Sequence, residues 1–331
     1  MLKFRFVIFC AIIFAPATGF AEGPPAWKEA AQRGLKLGTR GADSYPQFRS
    51  CFSCHHQTLS IMMLSEADEA GITFSKKTLK EQAEITRKHF SNLAELNKQS
   101  KKLGGHNSTL VYGIWTFWML EEPDSPTTAE MVKYLLQHQS SQGHWTVPTG
   151  RPPIQESALA ATTMAVYGIT LYQTTEQEAH AKKAIVKART WIEKAPLKTN
   201  EDYVWRLWDY VHNTDDEKGL NDLQQKLIAR QHKDGGWSQL DSMESDAYAT
   251  GQVVSMLLDS GLAPEDKSVA RGIEYLLKTQ HEDGSWFVAT RAKPVQRFFD
   301  NGDPHGVNQF ISISATYWAT TALMRAYRQA K

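Results

Sequence analysis

Apolar residues recur along this chain at helical spacing. Val269, Ile273, Leu276 and Leu277 fall at i, i+4, i+7 and i+8, lining one face of a helix, and residues 247–258 carry a second such stripe. Gly261 and Pro264 punctuate the turn between the two. The same spacing predicts helices over 57–70 with 76–97, 109–120 with 127–139, 157–172 with 177–194, 203–212 with 217–230, and 247–260 with 264–279. A last helix is predicted over 312–329, and a short pattern at 27–37 is a candidate for the twelfth. The alternation of half-buried strands is nearly absent, so the expected fold class is all-α.

Three segments superpose without gaps. Leu135, Leu136, Gln139, Gly143 and Trp145 match Leu227, Ile228, Gln231, Gly235 and Trp237, and both match Leu276, Leu277, Gln280, Gly284 and Trp286. The three Trp are 92 and 49 residues apart, giving a unit of about 46–49 residues with one degenerate copy, at 184–194, that lacks the Gln-Gly-Trp tail. The signature has a physical logic. Gly supplies the left-handed turn that ends a helix, the Gln amide satisfies orphan terminal carbonyls, and the indole packs against the next unit. A unit that buries its face only against neighbours must stack or close on itself.

These Gln-Gly-Trp repeats resemble those of the terpenoid cyclase and protein prenyltransferase superfamily, including the squalene and oxidosqualene cyclases, from about Ser108 to the C-terminus. The resemblance implies an α/α toroid of about six helical hairpins, with inner helices around a central cavity and outer helices as a sheath. It also implies where the chemistry would lie. Class II cyclases of that superfamily protonate an alkene with an Asp-rich D-x-D-D motif opening an inner helix, then hold the carbocation against aromatic faces. Here the comparable place reads Glu244-Ser245-Asp246-Ala247-Tyr248, one Asp where the superfamily uses three. Asn213-Thr214-Asp215-Asp216 matches in spelling but falls in a polar turn. The prenyltransferase zinc ligands, an Asp, a Cys and a His, cannot be assembled either. Class II cyclase activity is therefore disfavoured. Asp246, as an N-cap or an acid, and His305, in the turn before the last helix, remain the candidate catalytic residues. Inner-helix aromatics (Trp115, Phe117, Trp118, Trp205, Trp208, Tyr248, Tyr317 and Trp318) suit either a cavity for a hydrophobic or ring-shaped ligand or plain core packing.

Composition narrows the setting. Lys+Arg number 37 against 36 Asp+Glu, with no basic block, so nucleic acid is not an expected partner. The N-terminus reads as a secretory signal over 1–21: Lys3 and Arg5, an apolar stretch at 6–15, and the small-x-small site Gly19-Phe20-Ala21. The apolar stretch is short of the ~20 residues a spanning helix needs, so the expected product is exported, periplasmic or otherwise, and soluble, with no integral span. Of three Cys, Cys10 leaves with the signal.

The other two lie in Cys51-Phe52-Ser53-Cys54-His55, a C-x-x-C-H motif. That is the c-type haem attachment pattern: two thiols about a turn apart add to two vinyl groups on one porphyrin edge, and the adjacent His55 ligates the iron. A thioredoxin-like C-x-x-C would need a preceding strand, and a four-ligand zinc site a second Cys/His pair; a chance match also fits five residues. The expectation is one covalent haem c, with His106, His305, Met62, Met63 or His89 as the sixth-ligand candidates. The expected organisation is a signal peptide at 1–21, a haem attachment segment at 22–57 and the toroid at 58–331. The leading functional expectation is a monohaem c-type protein working in electron transfer or haem-dependent redox chemistry, with a redox partner protein or a small hydrophobic ligand. The alternatives are a toroid lyase or cyclase acting on a lipid or glycan, and a non-enzymatic binding scaffold.

Overall fold

The computed structural model describes residues 23–147, 150–294 and 297–331, so the expected signal at 1–21 lies outside the described residues. An outer helix α1 (Pro24–Phe48) comes first. Five inner–outer hairpins follow: α2 (Leu59–Glu69) with α3 (Lys76–Phe90) and the short α4 (Leu93–Lys98), α5 (His106–Met119) with α6 (Pro126–His138), and α7 (Ala158–Tyr172) with α8 (Glu178–Lys194). The last two hairpins are α9 (Asn200–Asn213) with α10 (Glu217–Ile228) and α11 (Ala247–Asp259) with α12 (Lys267–Thr279); α13 (Gln309–Gln329) ends the chain. The starts follow local chemistry: Ser75, Ser157, Asp216 and Asp246 each accept a backbone N–H of the first turn, and Ser125 and Thr199 form capping boxes.

Each inner helix packs on the next, α2 on α5, α5 on α7, α7 on α9, α9 on α11 and α11 on α13, and α13 returns to α2. The inner ring is closed. Among the described residues there is no strand, only an isolated bridge between Trp237 and Asp246. The architecture is the expected all-α toroid.

The repeat signature is its mortar. Gln139 Nε2 donates to Gly143 O and to Ala184 O on α8, both at 2.8 Å. Gln231 Nε2 does the same to Gly235 O and to Ser268 O on α12. Trp145, Trp237 and Trp286 are at most 1% exposed, and each indole N–H reaches a carbonyl of its own outer helix at 2.8 Å. Gly235 has φ of 93°, and a Cβ there would stand 2.6 Å from Arg271 O, so neither the turn nor the contact admits a side chain. In the degenerate unit Arg206 takes over, its guanidinium donating to Ile192 O and Ala195 O at the end of α8.

The helix predicted over 27–37 proves to be the first 25-residue outer helix, packed against α13. The described part of the stretch 22–57, from Gly23, supplies a toroid helix and then the C-x-x-C-H turn. Three of the connections from outer to inner helices, 139–157, 229–246 and 280–308, are long, whereas 99–105 and 195–199 are short, and all lie at the N-terminal ends of the inner helices. Those from inner to outer are short and lie at the opposite end. The toroid therefore has two unlike mouths.

Candidate functional site

The long-loop mouth holds the motif. Cys54 opens a π-helical turn, Cys54–Thr58, that runs into α2. Cys54 and His55 lie on the wall of a cavity of about 460 Å³, with Arg151 and Gln155 from the loop before α7, Lys293 from the loop before α13, and Phe310 on α13 itself. His55 is held from one side: its Nδ1 lies 3.1 Å from Ser53 Oγ, and its ring meets Phe310 edge-on at 5.5 Å. Its Nε2 is buried with no partner. Burial, reinforced by Arg151, lowers the His55 pKa to about 3, so the imidazole is neutral and its lone pair available. Burial also raises the Cys54 thiol to about 11. Cys51 stands on the exposed side of the turn, its Sγ 3.2 Å from Tyr45 Oη, and the two cysteines are free.

This donor set suits a covalently attached haem. One imidazole nitrogen is anchored, the other is orphaned, and both thiols are unspent. The wall is largely apolar, and Arg151 and Lys293 add positive charge of the kind that propionate carboxylates require. Among the described residues no group of three or more His, Cys, Asp or Glu is placed to hold a bare metal ion.

The sixth-ligand candidates lie elsewhere. Met62 lines the cavity at the opposite mouth, and Met63 is buried against Gly38. His106 is exposed at the start of α5. His305 lies beside the mouth, but its Nε2 contacts Ser285 Oγ at 3.0 Å and its ring packs on His281 and Phe287. His89 stacks on Phe52, inside the motif, with a buried unpartnered Nε2. None of the five lines the cavity that His55 lines. His56, which the spacing did not single out, is fully buried and stacked on Tyr45 at 4.3 Å.

Asp246 caps α11. Its Oδ1 accepts from Ala249 N at 2.9 Å and its Oδ2 from Gln239 Nε2 at 3.0 Å. Gln239 accepts from Arg291, which forms a two-bond pair with Glu156. Burial raises Asp246 to about 6 against these donors. It joins loops and does not line the cavity. A second buried carboxyl escaped sequence reasoning. Glu201 accepts from Trp205 Nε1, Tyr248 Oη and Gln252 Nε2 at 2.6–2.9 Å, and burial raises it to about 7. Nothing in the pattern marked it, because it is one of two adjacent acids opening α9.

Against known proteins, no protein-family model matches the chain. A squalene–hopene cyclase of Zymomonas mobilis is 25% identical over a stretch covering 41% of this chain and 27% of that protein. The chain thus spans about a quarter of the length of that relative. A possible GH105 family member from Salmonella enterica serovar Paratyphi A aligns over 96% of this chain and 97% of its own, at 10% identity and a TM-score of 0.61. A type II terpene cyclase from Scytonema aligns over 92% and 98%, at 11% and 0.57. The unsaturated glucuronyl hydrolase of Bacillus sp. GL1 aligns over 90% and 96%, at 12% and 0.55. The fold is the α/α toroid. At such identities the solved structures speak for the fold alone. Among the described residues no helix is long and apolar enough to cross a membrane.

Proposed function

We propose that this chain is an exported toroid carrying one c-type haem at its long-loop mouth and serving electron transfer or haem-dependent redox chemistry. Cys51 and Cys54 would hold the group through thioether bonds, and His55 would ligate iron through Nε2. A haem bound there supplies a one-electron couple. The chain's own residues do the rest: Ser53 fixes the His55 ring, Phe310 and Ile311 keep that wall dry, and Arg151 and Lys293 counter the propionate charge. The observation that carries the reading is the buried, partnerless His55 Nε2 on the same wall as Cys54. The test is expression with export and a haem-maturation system, followed by a visible spectrum and a peroxidase-stained denaturing gel. A stained band that disappears in the Cys51→Ala/Cys54→Ala double variant supports the reading, and a colourless parent protein overturns it.

The second reading is a toroid cyclase or lyase acting on a lipid or glycan. The names of its similar proteins, two cyclases and a glucuronyl hydrolase, favour this one over a cytochrome. So do two buried carboxyls with raised pKa, Asp246 and Glu201. Against it, every oxygen of Asp246 and Glu201 already accepts a hydrogen bond, and Asp246 is off the cavity wall. Turnover of a polyprenyl or unsaturated-glycan substrate that Asp246→Asn or Glu201→Gln abolishes, in colourless protein, would establish this reading.

A further inference from the structure

The short-turn mouth holds a second cavity, of about 640 Å³, at the C-terminal ends of the inner helices. Its walls are aromatic. Trp115 meets Trp205 edge-on at 5.1 Å and 84°, Trp118 meets Trp208 at 6.2 Å and 84°, and Tyr167 meets Trp208 at 4.9 Å and 77°. Trp115 and Trp318 are stacked at 6.1 Å and 26°, and His212, on the same wall, packs on Trp208 at 4.3 Å, so perpendicular and stacked rings together line the cavity as an aromatic box. The expected aromatic stripe therefore divides: Trp115, Trp118, Trp205, Trp208 and Trp318 line this cavity, and Phe117, Tyr248 and Tyr317 are buried packing.

The lining is also acidic. Six carboxylates face two guanidiniums. Both guanidiniums are spent: Arg325 on Glu66 and Asp259, and Arg328 on Glu66 and Glu69. Glu122 pairs with Arg87 from outside the cavity, and Glu121 and Asp124 remain as uncompensated negative charge at the rim. Aromatic faces and surplus negative charge both attract cations. A third feature points to a ligand. The indole N–H groups of Trp115 and Trp318, residues only 6% and 4% exposed, have no acceptor. Buried donors of this kind ordinarily find a partner.

We infer that this mouth binds a small organic ammonium cation that also carries a hydrogen-bond-accepting oxygen. The ammonium head sits within the aromatic box, Glu121 and Asp124 supply the long-range attraction, and the oxygen accepts from an indole N–H. The site is at the opposite end of the toroid from His55 and does not depend on the haem reading.

The experiment titrates the full chain with choline, following tryptophan fluorescence and heat. Saturable binding at about 10 mM or tighter is expected, weakening as salt rises. Tetramethylammonium, which lacks the oxygen, is expected to bind several-fold more weakly. The neutral isostere 3,3-dimethylbutan-1-ol should lose about tenfold or more. Trp208→Ala should remove binding; because that variant can also unsettle the fold, the Glu121→Gln/Asp124→Asn variant of the rim provides a second arm, with a loss of several-fold and an unchanged melting temperature. Equal affinity for choline and its neutral isostere, no saturation with choline, or indifference to the rim variant would each overturn the inference.

Discussion

The side-chain amide of Gln280 donates a 2.9 Å hydrogen bond to the carbonyl of Ala30, 250 positions earlier in the chain. It also donates to Gly284 O, and Arg33 returns a 2.7 Å bond to its oxygen. The third copy of the repeat signature is thus the clasp between α12 and α1. Gln280→Ala should cost about 1–2 kcal/mol, since it strips donors from part-buried carbonyls. Trp286→Ala should cost on the order of 3–5 kcal/mol as a buried aromatic is lost. Urea unfolding checks both, and a Gln280→Ala variant as stable as the parent would contradict the clasp.

Eleven expected stretches are helical because their apolar stripes and the Gln-Gly-Trp offsets are periodic, although the one expected over 76–97 is broken into α3 and α4. The full length of α1 could not be read from the sequence. Gly34, Gly38 and Gly41 lie in it, and glycine ordinarily argues against a helix. Here they are the contact. A Cβ at Gly34 would stand 2.1 Å from Thr320 Oγ1, and one at Gly41 2.7 Å from Ile313 Cδ1, so the missing side chains let α1 sit close on α13. Helix propensity lost to packing.

Two buried carboxyls favour the fold in mild acid, and two buried neutral histidines oppose them. Burial raises Glu201 from 4.5 to about 7 and Asp303 from 3.8 to about 7. Between the unfolded and folded values each of these carboxyls holds more protons in the native state than in the unfolded chain, so its own contribution to stability falls as pH rises from about 4 to 7, while the buried neutral His55 and His56 contribute with the opposite sign below about pH 6.5. Each group contributes at most about 1.4 kcal/mol per pH unit. Glu201→Gln should remove the Glu201 contribution, so that the variant loses less stability than the parent as pH rises, which thermal melts of both from pH 4.5 to 8 measure. A pH dependence unchanged in the variant would show that Glu201 ionises freely.

The C-x-x-C-H turn was legible because its spacing is contiguous, while its surroundings were not. Arg151 and Lys293 come from irregular loops 142 positions apart, where no periodicity points inward. The acid–base cluster of the other mouth was hidden for a related reason. Glu66, Asp259 and Arg325 come from three inner helices, and each alone reads as a surface charge.

That cluster turns on Arg325. The Asp259 pKa falls to about 2 although burial opposes it, chiefly because Arg325 lies beside it. Glu66 is only 4% exposed and shares its two oxygens between Arg325 and Arg328. Replacing Arg325 by Met keeps the volume and leaves a buried carboxylate short of its counter-charge. A loss of about 3–5 kcal/mol is expected. Chemical denaturation of Arg325→Met beside Arg328→Met checks it, and the exposed-side Arg328 variant should lose clearly less.

Asp246 decides between a cap and an acid. As a cap, its value lies in the Ala249 N–H that it satisfies and in the strut through Gln239 to Arg291 and Glu156. Asn caps a helix as well as Asp does, whereas Ala does not. Asp246→Asn should therefore keep the cap through its amide oxygen and lose only the Gln239 bond, since Gln239 Oε1 is held by Arg291 and its amide cannot turn, at a cost of about 0.5–1 kcal/mol. Asp246→Ala should lose about 1–2 kcal/mol. An acid buried for catalysis is told apart by turnover: removing its ionisable group relieves the burial that raises its pKa to about 6, so Asn would match or exceed the parent in stability while abolishing turnover. Paired melts of the two variants at pH 7.5, where the parent Asp246 is ionised, test the cap, and turnover of the Asn variant tests the acid. An Asn variant as unstable as the Ala variant would refute the cap, because it would show that the charge, and not the acceptor, holds the loops together.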